Sequence, residues 1–298
     1  MRNLNEFTIT DEVLRRLENC DNPRVKEVSA ALVRHLHNFV REIQPTQQEW
    51  GFAIDFLTRT GQICSDTRQE FILLSDALGV SMLVDAINHR VADGATETTV
   101  FGPFYVQNPP EFANGDDVSR NVPGEPMYVS GSVSDIDGQP LAGAVVDIWH
   151  SDEEGFYDVQ RLDAFGGKYA LRARFRTDAE GKFDFWTIKP SLYPIPHDGP
   201  VGQMLEAQAR HPYRPAHVHY MISAPGHETL VTHVFERGDP YLDSDAVFGV
   251  KDSLVCDFTK HSPGPAPRGR QMEVEYRQLH YDFKLQRAPE AAAKPEIK

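Results

Sequence analysis

The spacing of apolar residues changes once along this chain. Val25, Val28, Leu32, Leu36, Phe39, Val40 and Ile43 recur at steps of three and four, the stripe of an amphipathic helix. Asn22-Pro23 precedes the stripe and Pro45 stops it, since proline has no amide proton to donate. A short helix is expected from Thr10-Asp11 through Leu17. A third runs from Thr46 to Cys64 with Trp50, Ile54 and Leu57 on one face, and a fourth from about Thr67 to His89 with a weak point at Gly79. Two roles fit these stripes: the core of a helical bundle, or a contact with a second copy of the chain. His35 and His37 stand two apart on a helix, face different directions and make no metal pair.

From Asp93 the texture changes. Gly102-Pro103, Pro109-Pro110, Asn114-Gly115 and Pro123-Gly124 punctuate a linker. Short runs of strand type follow at Met127–Val133, Ala144–Trp149, Tyr169–Phe175, Phe183–Ile188, Ala216–Ile222, Thr229–Phe235, Ser253–Phe258 and Val274–Leu285. Eight short strands without intervening helices imply an antiparallel sandwich or barrel, so the expected class is mainly β with an α-helical N-terminal domain. The expected division is a helical dimerisation and linker domain over 1–98, a β-sandwich catalytic domain over 99–286 and a disordered, polar tail over 287–298. Long loops at 151–168 and 189–215 interrupt the strands, and loops over a rigid sandwich are where sites tend to sit.

Composition narrows the function. The formal charge is −14 over 298 residues with no Lys/Arg cluster, which argues against nucleic-acid binding. No run of eighteen apolar residues and no signal-type segment is present, so a cytoplasmic protein without membrane insertion is expected. Cys20, Cys64 and Cys256 lack any paired spacing and read as packing residues.

The chemistry concentrates around RPAHVHY, 214–220. On a strand of period two, His217 and His219 project from one face, which is a rigid start to a metal site. Each long loop adds a tyrosine: Tyr157 after Gly155-Phe156, and Tyr193 in KPSLYPIP. A phenol ionises at neutral pH only beside a strong Lewis acid, so two tyrosines with two histidines favour trivalent iron over zinc. Arg214, three residues before His217, is placed to hold a fixed positive charge near a reacting group.

The runs GPFYV (102–106), AGAVVDIWH (142–150) followed by Gly155-Phe156-Tyr157, KPSLYPIP (189–196) and RPAHVHYMISAPGH (214–227) resemble the intradiol ring-cleavage dioxygenases over nearly the whole chain. Within that family, THVFERGDPYLDSDAVFGVKDSLV (232–255) is most similar to the hydroxyquinol 1,2-dioxygenases, with His233 where the catechol enzymes have glutamine. The resemblance implies non-haem Fe(III) held by Tyr157, Tyr193, His217 and His219. It further implies an aromatic 1,2-diol bound as a chelating dianion, with Tyr193 taking up one phenolic proton, and cleavage by O2 to a dicarboxylate carrying both oxygen atoms. Carried over from the hydroxyquinol enzymes, the substrate pocket comprises Leu73, Asp76, Val100, Phe101, Gly102, Pro103, Phe104, Ile195, Pro196 and Val247. Its Asp76 accepts a hydrogen bond from the third hydroxyl of hydroxyquinol. Related enzymes dimerise through the helical part and often hold a phospholipid there. The alternative within the family is a catechol or chlorocatechol 1,2-dioxygenase. Outside it stand a zinc hydrolase, for which no carboxylate third ligand lies near the histidines in sequence, and a non-catalytic sandwich module with a helical arm.

Overall fold

The computed structural model describes residues 2–65 and 68–288. Five helices come first: α1 (Ile9–Arg16), α2 (Pro23–Ile43), α3 (Gln47–Gln62), α4 (Glu70–Ala77) and α5 (Val80–Asn88). The Asn22 side-chain oxygen caps α2, accepting from the Arg24 and Val25 amides at 3.0 and 3.1 Å, and Pro23 occupies the first turn. Thr46 and Glu49 make a capping box for α3: the Glu49 carboxylate accepts from the Thr46 amide at 2.7 Å and the Thr46 hydroxyl from the Glu49 amide at 3.2 Å. The single helix expected to end at His89 is two. Gly79, at φ +74°, breaks it between α4 and α5, a conformation that costs glycine little and other residues more.

The chain divides into two compact units within α3, 2–59 and 60–288, so α4 and α5 belong with the strands. In the first unit α1 packs on α2, and the Thr10 hydroxyl lies 2.9 Å from His37 Nδ1. Along α2, Leu32, Leu36, Phe39 and Ile43 are at least half exposed, so the stripe does not form a bundle core within this chain.

In the second unit the strands are β1 (Pro126–Asp135), β2 (Val145–His150), β3 (Arg172–Arg176), β4 (Lys182–Ile188), β5 (Tyr193–Pro194), β6 (Tyr213–Arg214), β7 (His217–Ser223), β8 (Leu230–Glu236), β9 (Val255–Cys256), β10 (Thr259–His261), β11 (Gly264–Pro265), β12 (Gln271–Met272) and β13 (Tyr276–Leu285). Two sheets face each other, one in the order β10-β13-β1-β4 and the other β3-β2-β7-β8-β9. Pairing is antiparallel except between β1 and β13 and between β8 and β9. Val129, Val133, Phe183, Phe185 and Phe283 from the first sheet meet Val146, Ile148, Phe175, Val218, Tyr220 and Val234 from the second in a dry core. Dense apolar burial of this kind is what holds such a sandwich together.

Alternation along β7 positions the site. Val218, Tyr220 and Ile222 enter the core, so His217 and His219 project from the opposite face. Both are buried all the same, because the long loops cover that face. One loop carries a helix that periodicity did not announce, α6 (Pro200–Ala207). No helix among the described residues is long and apolar enough to cross a membrane, and Cys20, Cys64 and Cys256 are free thiols. Arg287 bridges to His227 and the Ala288 amide donates to the Gly226 carbonyl. The rest of the expected disordered tail, 289–298, lies outside the described residues.

Candidate metal centre

Strand β7 runs between β2 and β8, and His219 pairs across with Trp149 on one side and His233 on the other. The Trp149 ring stacks on His219 at 4.7 Å and 15°, which fixes the imidazole plane. His217 Nδ1 donates to the Pro215 carbonyl at 2.6 Å, so its Nε2 carries the lone pair.

Tyr157 follows β2 on the first loop. Its neighbour Asp158 is locked to Arg172 of β3: the carboxylate accepts from Arg172 Nε at 2.7 Å, from Nη2, and from the Ala170 amide at 3.1 Å. Arg172 also donates to the Phe104 carbonyl at 3.0 Å, and the Phe104 ring stacks on Tyr157 at 4.3 Å. Tyr193 arrives on the ribbon β5/β6, directly opposite Arg214. The two loops touch at Gly155, where a Cβ would come within 2.6 Å of Tyr193 Cβ at a φ of +87°. Only glycine permits that approach.

The outcome is a convergence of four donor atoms. Tyr157 Oη lies 3.2 Å from Tyr193 Oη, 2.8 Å from His219 Nε2 and 3.4 Å from His217 Nε2, and the two Nε2 atoms are 3.1 Å apart. All four residues are buried. Burial holds the His217 imidazole down to about 3, helped by the charge of Arg214. It pushes His219 well below the ordinary range, with His233 and His217 adding to the effect. Both rings are therefore neutral, as metal ligation requires. Burial and the adjacent Tyr193 push the Tyr157 phenol well above its usual range, so a nearby cation is what would ionise it.

The donor set fits ferric iron, with two phenols that become hard anionic oxygens and two neutral nitrogens crowded on one point. His233 completes a triad with His217 and His219 whose ring nitrogens lie within 4.8 Å of one another, a group able to hold a metal ion. His219 Nδ1 and His233 Nε2 are buried without hydrogen-bond partners, which is costly unless something else engages them.

Beside the donors lies a cavity of about 80 Å³. Leu73, Asp76, Val100, Gly102, Pro103, Phe104, Ile195, Pro196 and Val247 line it together with Tyr193 and Arg214. Phe101, expected in the wall, instead packs its ring against Tyr105 and Trp149 at 4.9 and 6.0 Å. Asp76 is buried, which raises its carboxyl pKa, while a bond with Ser81 and the charge of Arg214 oppose the rise. Arg214 is clamped by Asp245, whose carboxylate accepts from Nε at 3.0 Å and Nη2 at 3.2 Å. Burial alone would raise the Asp245 carboxyl pKa, but Arg214 and the Gly249 amide hold it below the usual value.

Sequence reasoning did not single out Asp158, Arg172 or Asp245. For Arg172 a signal was available. Arg172, Arg174 and Arg176 alternate with the core residues Ala173 and Phe175, which turns Arg172 toward the same face as the two histidines. Arg174 on that face is likewise paired, at 2.7 Å, with the buried Asp147.

Residues 100–287 match the family model described as dioxygenase, and residues 22–96 match that described as catechol dioxygenase N terminus. A hydroxyquinol 1,2-dioxygenase of a Rhizobium species is 54% identical over 250 residues, 84% of each chain. A 6-chlorohydroxyquinol 1,2-dioxygenase of Cupriavidus pinatubonensis is 52% identical over 266 residues, 89% of this chain and 95% of the relative. The crystal structure of a hydroxyquinol 1,2-dioxygenase from Pseudomonas putida superposes with a TM-score of 0.89 at 48% identity, covering 95% of this chain and 99% of that one.

Proposed function

The chain belongs to the intradiol ring-cleavage dioxygenases, and from that premise we propose that it cleaves hydroxyquinol, benzene-1,2,4-triol, with O2 to 3-hydroxy-cis,cis-muconate, the enol form of maleylacetate. The observation that carries the reading is the meeting of two phenols and two neutral imidazoles at one buried point, beside a mostly apolar cavity lined by two buried carboxylates, Asp76 and Glu70, of which Glu70 is paired with Arg68.

Tyr157, Tyr193, His217 and His219 would hold the metal. Ferric iron, when bound, supplies the Lewis acidity that ionises an aromatic 1,2-diol and makes its ring reactive toward dioxygen. The protein does the rest. Tyr193 lies at both the donor cluster and the cavity wall, so its oxygen would be in place, once iron holds it as the phenolate, to take one phenolic proton from the entering diol. Arg214 stays protonated and faces the cavity, a fixed charge for negative charge developing on the ring. The apolar side chains of Leu73, Val100, Ile195 and Val247 exclude water and grip a single ring. Asp76 accepts a hydrogen bond from the third hydroxyl. A site built for that bond rejects a ring lacking it far better than an apolar slot would.

The exposed stripe of α2 supports homodimerisation through the helical region, with a phospholipid chain as a further occupant of that apolar surface. The seam between the two family matches, between residues 96 and 100, supports a domain boundary at 99, with α4 of the preceding segment lending Leu73 and Asp76 to the cavity. The free thiols accord with the cytoplasm.

The test is a substrate panel with oxygen uptake. Hydroxyquinol should consume one O2 per ring and exceed catechol in kcat/KM, and Asp76→Ala should shrink that preference by at least about tenfold. Equal or greater turnover of catechol or chlorocatechols by the wild type would move the assignment to the catechol branch.

A further inference from the structure

Asp245 is a buried carboxylate of the second unit, and it is bonded both to Arg214 and to the turn that carries Val247, two residues of the cavity wall. Its two oxygens take Arg214 Nε and Nη2 at 3.0 and 3.2 Å in a bidentate fork, the geometry that fixes a guanidinium in both position and plane. The same oxygens accept from the Val247 amide at 3.4 Å and the Gly249 amide at 2.9 Å. The turn that presents the Val247 side chain to the cavity is thus wrapped around the carboxylate that holds Arg214. A side chain at Gly249 would press on the fork: a Cβ would lie 3.1 Å from Arg214 Nη2 and 3.2 Å from Asp245 Oδ2, so the pair would have to give by a few tenths of an ångström. The pair engages Nε and Nη2 and leaves Nη1 outside the fork.

We infer that Asp245 is a positioning residue for the ring-cleavage step, holding the Arg214 guanidinium at one place beside the substrate and coupling that place to the Val247 wall. The inference rests on the proposed role of Arg214 toward a bound aromatic diol. A charge that matters as negative charge develops acts on the transition state more than on binding, so its displacement lowers kcat and leaves KM nearly unchanged. A residue that served stability alone would lower the melting temperature without that split.

The experiment compares wild type, Asp245→Asn and Gly249→Ala. Asparagine keeps the size of the side chain but sets its amide N–H groups against the donors of Arg214 and Gly249. Asp245→Asn should reduce kcat for hydroxyquinol by at least about tenfold with KM within about threefold, at unchanged iron content. In the metal-free protein the Arg214 Nε–H should be protected from solvent exchange in the wild type, where it is buried and bonded to Asp245, and should lose that protection in the variant. Gly249→Ala pushes on the same fork without removing a charge and should move both readouts in the same direction. It decides the matter if Asp245→Asn does not fold. Retained kcat in a folded variant, a loss confined to KM, or retained Nε–H protection would overturn the inference. If wild type fails to turn over hydroxyquinol, the proposed substrate falls. The exchange measurement on metal-free protein then decides by itself whether Asp245 positions Arg214.

Discussion

The two histidines and the two tyrosines reach the same point by different means. His217 and His219 are set by a strand: neighbours β2 and β8 fix the register, Val218 and Tyr220 anchor the opposite face in the core, and Trp149 stacks on the ring. Tyr157 and Tyr193 are set by loops, which have no ladder of their own and lean on a buried ion pair, a two-residue ribbon and one close approach at Gly155. A strand delivers ligands through the stability of the whole sandwich. A loop delivers them through a few named contacts, each of which can be removed singly. The strand side should therefore fail only with its own side chains, and the loop side through residues that never touch the metal.

The largest effect expected is on the strand side. His217→Ala removes one of the four converging donors, and should lower bound iron and activity by about a thousandfold or more with little loss of fold. Metal analysis with circular dichroism checks both halves of that expectation. On the loop side, Arg172→Ala strands the buried Asp158 carboxylate beside Tyr157, and should cost about 3–5 kcal/mol of stability with a ten- to hundredfold loss of metal affinity. Urea denaturation and competitive chelation read these separately. A variant with normal iron binding would show that the Tyr157 loop does not depend on the pair.

Acid sharpens the contrast where β2 gives way to the tyrosine loop. His150 is buried between the Ser151 carbonyl and the Thr187 hydroxyl, and burial lowers its pKa from 6.5 to about 4. Above pH 6.5 the ring is neutral in both folded and unfolded chains. As pH falls toward 4 the unfolded chain takes the proton first, so stability contributed by the neutral ring is lost across that window, about 3 kcal/mol in all. Urea midpoints between pH 7 and 4.5 should fall more steeply in wild type than in His150→Gln. Equal slopes would mean that His150 does not govern the acid response.

The smallest expected effect is Gly155→Ala. A methyl group at a positive φ pressed against Tyr193 should cost about 1–3 kcal/mol and loosen only the loop side. Iron affinity should drop modestly while the thermal transition of the sandwich stays near that of wild type.

The same asymmetry explains what was legible in the sequence. Period-two runs announced the long strands, and His-x-His declared its shared face, because both follow from backbone geometry alone. Asn22-Pro23 and Pro45 marked the ends of α2 for the same local reason. The parallel pairing of β1 with β13 lay beyond reach, since it joins residues about 150 apart and no local pattern encodes the partner. Asp158, Arg172 and Asp245 also went unread. Charged residues on loops and strand ends look solvated until the chain closes over them, and only then does their pairing become the support of the site. Phe101 shows what reading by resemblance leaves open: its neighbours in the 100–104 run line the cavity while its own ring packs on Tyr105 and Trp149.

The visible absorption spectrum tests the central claim most directly. Protein reconstituted with ferric iron should be red from tyrosinate-to-iron charge transfer, and hydroxyquinol added without oxygen should shift the band to longer wavelength. Tyr157→Phe should weaken or abolish the band. A protein that binds iron at His217, His219 and His233 yet stays colourless would contradict the account, because the phenols would then lie beside the metal without holding it.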